Sequence, residues 1–233
     1  MFQATFLSPD EWQAVRLSLL VAARAVGFGL PLAIAAAWLL ARRRFPGRAL
    51  LDVVLHMPLV LPPVVTGWLL LLVFGVRGPV GAVLQEWFGI RFVFTTGGAA
   101  LACGVMVFPI MVRSIRLSLE AVEPGLEQAA RSLGAGRLDR FFTITLPLAS
   151  PGVLVGAVVA YATSLGEFGA VITFAASIPG ETQTLPLAIY AALQSPGGEE
   201  VAARLSLVSM LLAMAGLIAS DVAGRRLAAR LGR

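Results

Sequence analysis

Few residues in this chain could do chemistry. His56 and Cys103 are each the single residue of their kind, and they lie in separate apolar runs, so spacing gives no support to a histidine–cysteine nucleophilic pair. One cysteine also leaves neither a disulfide framework nor a thiolate metal cluster. All 18 basic residues are Arg. A phosphate-cradling loop ends in Gly-Lys-Ser/Thr, so this chain is not a nucleotide-hydrolysing subunit of that kind. Two features remain. Glu167 stands within Ser164-Leu165-Gly166-Glu167-Phe168-Gly169-Ala170, an apolar run with small residues beside the acid. An ionisable group in such a place is a functional candidate by default. It can act in a pathway, or it can be a structural acid that accepts backbone hydrogen bonds or caps a half-helix; both readings stay open. The second feature is a dense polar stretch, Glu127-Gln128-Ala129-Ala130-Arg131-Ser132-Leu133-Gly134, running on to Ile144-Thr145-Leu146-Pro147.

That stretch has a local logic. Helix formers from Leu126 to Leu133 lie between the breakers Pro124-Gly125 and Gly134-Ala135-Gly136. This composition predicts one short helix, a glycine stop, and a return to the membrane marked by Pro147 and Pro151. Leu126, Ala129, Ala130 and Leu133 fall at helical spacing and form a small apolar face. The pattern resembles the EAA loop of binding-protein-dependent ABC importer permeases: Glu-Ala-Ala, three residues, Gly, nine residues, Ile, one residue, Leu-Pro. Aligned on Gly134, the chain reads Gln128-Ala129-Ala130, then Ile144, then Leu146-Pro147. It departs from the family at Gln128, with Glu127 one residue earlier, and leaves open which of the two side chains does the acid's work.

The rest of the chain must position these features. Of 233 residues, 58% are hydrophobic and 13% charged, against about 25% charged in a soluble domain. That much apolar side chain calls for lipid as solvent. The net charge of +5 comes from arginines placed between apolar segments, which points to membrane topology and away from nucleic acid. A transmembrane unit is expected over 13–222, with spans at 15–40, 51–74, 98–117, 152–174 and 201–222. A cytoplasmic loop is expected over 119–150, and a basic tail over 223–233. The first span lacks a basic region before it and a small-residue cleavage site after it, and is expected to stay in the protein. The second contains Pro58, Pro62 and Pro63, which suggest a break. Val80 to Ile90 suits an interfacial helix. Leu185 to Leu193 is too short to span and suits a re-entrant or surface helix. Arg24, well inside the first span, either snorkels or attracts an anion.

Arg42, Arg43, Arg44 and Arg48, the polar loop and the arginine-rich tail collect on one side; Arg77, Glu86, Arg91, Glu181, Glu199 and Glu200 collect on the other. By arginine bias the first side is cytoplasmic, with the N-terminus out and the C-terminus in.

Three further stretches are similar to the permease subunit of bacterial molybdate importers: Ala41 to Arg48, Gly166 to Val171, and Ile178 to Tyr190. The resemblance implies an all-α polytopic bundle of the type I ABC importer permease kind in the bacterial inner membrane. It implies a homodimer surrounded by membrane lipid, with an ATPase subunit on each cytoplasmic loop and a soluble or lipid-anchored binding protein outside. ATP and Mg would be held by the ATPase, and no cofactor by this chain. The coupling residues would be Leu126, Glu127, Gln128, Ala129, Ala130, Leu133 and Gly134. Candidates for the path and gate are Pro62, Pro63, Thr66, Ser164, Gly166, Glu167 and Phe168. The substrate would be an oxyanion, molybdate ahead of sulfate, thiosulfate or tungstate. A passive channel would not need the spaced loop, and a secondary transporter should carry more intramembrane ionisable groups than Glu167.

Overall fold

The structure, a computed structural model, describes residues 6–230, and among these every regular element is helical. Helix α1 covers Pro9–Arg42. Its start is chemically fixed: the Ser8 side chain accepts the Glu11 N–H at 3.3 Å, and the Glu11 carboxylate accepts the Ser8 N–H at 2.6 Å. Pro9 fills a first-turn position where its missing N–H costs nothing. The helix therefore begins before the expected span 15–40 and takes in residues 9–13, the end of the expected interfacial start; Met1 to Thr5 lie outside the described residues.

The expected span 51–74 is two helices. Helix α2, Arg48–His56, continues through a tight turn at Met57–Leu59; helix α3, Pro63–Phe74, then leaves at an angle of 116°. Pro62 is extended (φ −55°, ψ 135°), as a residue before a proline must be, and it ends one helix and starts the next. Helix α4, Pro79–Phe88, folds tightly on the end of α3: a methyl group on Gly78 would fall 2.6 Å from the Leu72 and Val73 carbonyl oxygens. Helix α5, Thr96–Glu120, is capped by Thr95, whose hydroxyl accepts the Gly98 N–H at 3.1 Å. Helix α6 is Pro124–Ser132.

The expected fourth span, 152–174, falls on two helices with a break between them. Helix α7, Arg137–Arg140, runs through a π-helical segment, Phe141–Thr145, into helix α8, Leu146–Leu165. Helix thus begins fifteen positions before Gly152 and stops at Gly166. Within the loop expected over 119–150, residues 121–136 join α5 to α7, with α6 among them. Pro147 and Pro151 do not mark a loop because the helix accommodates them. Pro147 falls in the first turn of α8, just after the π segment. Pro151 has no N–H for the Pro147 carbonyl, and the Ser150 hydroxyl donates to that oxygen instead, at 2.6 Å. After Gly166 come helix α9, Gly169–Ala175, and helix α10, Leu185–Leu193. Helix α11, Glu199–Arg230, contains the expected span 201–222 and most of the expected tail as one helix; residues 231–233 lie outside the described part.

Contacts at the two ends of the bundle fix the path. At the α6 end, Arg42 donates to the Val122 carbonyl, and Arg116 pairs with Asp52 at 3.0 Å. At the α4 end, Phe74 meets Phe92 edge to face, Thr96 donates to the Glu181 carbonyl at 2.7 Å, and Arg204 pairs with Glu11 at 2.8 Å. The chain therefore crosses on α1, returns on the bent pair α2–α3, crosses on α5, returns on α8 with α9, and crosses again on α11. Four described helices are long and apolar enough to span a membrane, or five if the bent pair is taken as one span. Towards the α6 end, α5 and α8 approach so closely that a methyl group on Gly152 would collide with Ser118. Two serines clamp that crossing: Ser114 donates to the Gly152 carbonyl at 2.9 Å, and Ser118 accepts the Gly152 N–H at 3.2 Å.

Candidate functional site

Two places gather the chemistry-bearing residues. The first is α6. Its end is a glycine stop of the Schellman kind: the Ala135 N–H reaches the Ala130 carbonyl and the Gly134 N–H reaches the Arg131 carbonyl, both at 3.0 Å. Gly134 has φ +89°, and a methyl group there would meet nothing within 4 Å. The glycine is thus required by backbone conformation and not by packing. Glu127 in the first turn and Arg131 in the last complement the helix dipole.

The structure separates Glu127 from Gln128. Glu127 is half-buried and turned to the bundle: its Oε1 lies 3.0 Å from the Arg42 guanidinium and accepts the Thr145 hydroxyl at 2.7 Å. Arg140 donates to the Glu127 carbonyl at 3.4 Å. The acid therefore ties α6 to the end of α1 and to the π segment below α8. Gln128 is exposed. Leu126, Ala129 and Leu133 are exposed too, whereas Ala130 is half-buried, so the expected four-residue apolar face offers three residues outward.

The second place is the break after α8. Gly166 closes α8, and Glu167 reaches forward to accept the Ala170 N–H at 3.0 Å, capping α9. Helix α9 lies along α3, and the two start at the same depth. A methyl group on Gly169 would fall 2.7 Å from Pro63 Cβ, and one on Gly67 would fall 2.8 Å from the Ala170 carbonyl oxygen. Pro62, Pro63, Thr66, Glu167 and Phe168 are thus brought together on two short parallel helices. Thr66 and Ser164 are buried, and neither hydroxyl has a hydrogen-bond partner among the described residues. Ser164 faces α5, where its carbonyl receives the Cys103 thiol at 3.8 Å. Phe168 packs against Tyr190 of α10 with ring centroids 5.2 Å apart.

His56 is held by Asp52, with Nδ1 2.8 Å from the Asp52 carbonyl oxygen. Cys103 is buried with its thiol on the Ser164 carbonyl, and no contact joins it to His56 among the described residues. Among the described residues no three of His, Cys, Asp and Glu gather as metal ligands. Arg24 is exposed and lines an apolar groove of about 590 Å³ with Phe28, Pro58 and Phe108. Sequence reasoning missed Arg42 and Thr145 as partners of Glu127. Arg42 carried only a topology signal, and Thr145 lay unremarked inside the Ile144-Thr145-Leu146-Pro147 run. A tie across 85 or 18 positions leaves no mark in one sequence.

Comparison with known proteins bears on both places. A family model described as "Binding-protein-dependent transport system inner membrane component" matches residues 29–233. The chain is 60% identical to the molybdenum transport system permease protein ModB of Escherichia coli (strain K12) over 227 residues, covering 97% of this chain and 99% of that protein. It is 37% identical to the sulfate transport system permease protein CysT of Salmonella typhimurium over 208 residues, covering 88% of this chain and 75% of that protein. In fold it is similar to a chain from the crystal structure of a bacterial alginate ABC transporter in complex with alginate pentasaccharide-bound periplasmic protein. The TM-score there is 0.75 at 18% identity, with 95% of this chain and 81% of that chain covered.

Proposed function

The chain belongs to the binding-protein-dependent transport system inner membrane component family, and from that premise we propose that it carries molybdate into the cytoplasm. It is the membrane permease subunit of an ABC import system and not itself an enzyme. The 60% identity to a molybdenum permease along nearly the full length of both chains carries the choice of anion; the sulfate relative stands at 37%. Sulfate is therefore the second reading.

Mechanically, ATP and Mg reside on the partner ATPase, whose surface cleft grips α6 through Leu126, Ala129 and Leu133. Glu127 passes the movement to Arg42 and Thr145. From Thr145 the helix is unbroken to Leu165, so a push at one end displaces the break at the other. There α9 travels with its cap, Glu167, against α3. The gate is this α3–α9 pair. Glu167 acts on the protein and not on the anion, because a carboxylate facing an oxyanion at low dielectric would repel it. A single α3–α9 pair makes one wall. Val64, Trp68 and Leu72 on α3 are exposed and apolar, which suits a second copy supplying the opposite wall. Arg42, Arg43, Arg44, Arg48, Arg113, Arg131, Arg137 and Arg140 lie at the α6 end, which supports that end as cytoplasmic.

The test is uptake into vesicles containing the permease with its ATPase, supplied with the external binding protein. ATP-dependent entry of labelled molybdate, with sulfate at least tenfold less effective as a competitor, is the expected result. Preference for sulfate would select the second reading, and anion flux without ATP would select a channel. Reporters at the two termini should lie on opposite sides, the C-terminal one inside.

A further inference from the structure

We propose that the cleft between α1 and the α7–α8 junction holds an anionic phospholipid of the leaflet at the α6 end. A cavity of about 810 Å³ opens there. Its mouth carries the guanidinium groups of Arg42, Arg43, Arg137 and Arg140 against one carboxylate, Glu127, which is already engaged by Arg42. The Nε of Arg42 is buried and has no hydrogen-bond partner among the described residues. Arg43 is exposed, with its guanidinium 5.3 Å from the centre of the Trp38 ring. Arg140 is spent on the Gly136 and Glu127 carbonyls, whereas Arg43 and Arg137 are exposed and make no ion pair among the described residues, so these two leave the mouth cationic and open to an anion.

Below the arginines the cleft turns apolar. Pro31, Ile34, Ala35 and Trp38 recur along one face of α1, and Phe141 and Phe142 of the π segment form the opposite wall. Trp38 and Phe141 meet edge to face, with centroids 6.0 Å apart. From Pro31 to Arg42 the helix rises about 16 Å. Half of a hydrocarbon core about 30 Å thick is close to that depth. A free phosphate would use the arginines and leave the apolar depth empty. A phosphate-bearing headgroup with an acyl chain matches both parts, and basic pockets between helices at the cytoplasmic side suit such lipids. The proposal goes beyond the transport reading and rests on the chain's residence in a membrane, not on its substrate.

The experiment uses the permease–ATPase complex in detergent, with bound lipid counted by native mass spectrometry. Phosphatidylglycerol and phosphatidylcholine of equal chain length are titrated against the parent complex, then against Arg43→Gln with Arg137→Gln, and against Ala35→Trp. Ala35 is exposed to the cleft, so tryptophan there fills the groove without entering the core. Expected are about tenfold tighter binding of phosphatidylglycerol than phosphatidylcholine, and loss of that preference in both variants. Equal binding of the two lipids to the parent overturns the proposal. So does loss in the arginine variant alone, which would mean surface attraction without a built cleft. Displacement of the lipid by millimolar inorganic phosphate would make this a free-anion site. Disulfide linking of two copies through Phe142→Cys would make the cleft an interface between copies. Either result ends the lipid assignment, and the comparison of lipids on the parent needs no variant to fold.

Discussion

The α6 end and the α3–α9 break hold their parts by opposite means. At the α6 end, long side chains do the holding: Arg42 to Glu127, Thr145 to Glu127, Arg116 to Asp52, at 2.7–3.0 Å and partly in reach of water. Such contacts can stretch and re-form while two elements shift. At the break, backbone and ring touch directly across glycines, Gly169 on Pro63 and Gly67 on Ala170. Contact of that kind has no slack, and closely packed interiors transmit displacement without absorbing it. One region is thus suited to being gripped and pulled, and the other to responding as a rigid pair.

The sharpest way to break that comparison is Gly169→Val. The valine side chain would be driven into Pro63, a ring with no rotamer to yield, at an overpacking cost of about 1–3 kcal/mol. Uptake should be abolished while the ATPase still copurifies with the permease. Normal uptake would show that the α3–α9 contact is not tight in the working protein.

Next in size is Glu167. Glu167→Ala leaves the Ala170 N–H without its acceptor in a half-buried place, a penalty of about 1–3 kcal/mol. Glu167→Gln keeps an acceptor oxygen there and should retain part of the uptake. If both variants lose uptake equally at equal protein, the charge matters and not the cap.

Gly134 sharpens the other side of the comparison. With φ +89° and open space around it, Gly134→Val should cost about 1–2 kcal/mol in backbone strain alone, and Gly134→Asn markedly less. The expected readout is weakened ATPase binding and uncoupled uptake in the valine variant, with the protein still inserted. Loss of equal size in both variants would point to the side-chain volume, for which the structure gives no obstacle.

What could be read from the sequence divides along the same line. The loop was legible because its residues are close in the chain: Pro124 starts α6, Gly134 stops it, and the stop has the positive φ that glycine favours. The break was legible as breakers, Pro62-Pro63 and Gly166, but not as a pair, because Gly169 meets Pro63 only through the fold. Helix runs from Arg137 to Leu165, through prolines that the sequence marks as breakers, for a physical reason. Pro147 and Pro151 are poor helix formers by propensity, yet a π segment and the Ser150 hydroxyl accommodate them. Intrinsic preference is a weak prior against such local repairs. The bent second span could be suspected from its prolines, but the 116° angle depends on where α3 finds α9.

The smallest expected effects concern Glu127 and Gln128, and they decide which residue is the working acid. The Arg42–Glu127 pair keeps side-chain exposures of 19% and 25%, so solvent screens it in part and its coupling should be about 1 kcal/mol. A double-mutant cycle of Glu127→Gln and Arg42→Gln should recover that coupling, with uptake per ATP hydrolysed falling a few-fold in either single variant. Gln128→Glu restores the acid at the position where the resembling motif has it. Its side chain starts from an exposed position one residue on, about 100° around the helix from Glu127. It should therefore neither stabilise the protein nor rescue Glu127→Gln. Rescue would mean that Arg42 can be reached from position 128, and that the acid belongs where the motif places it.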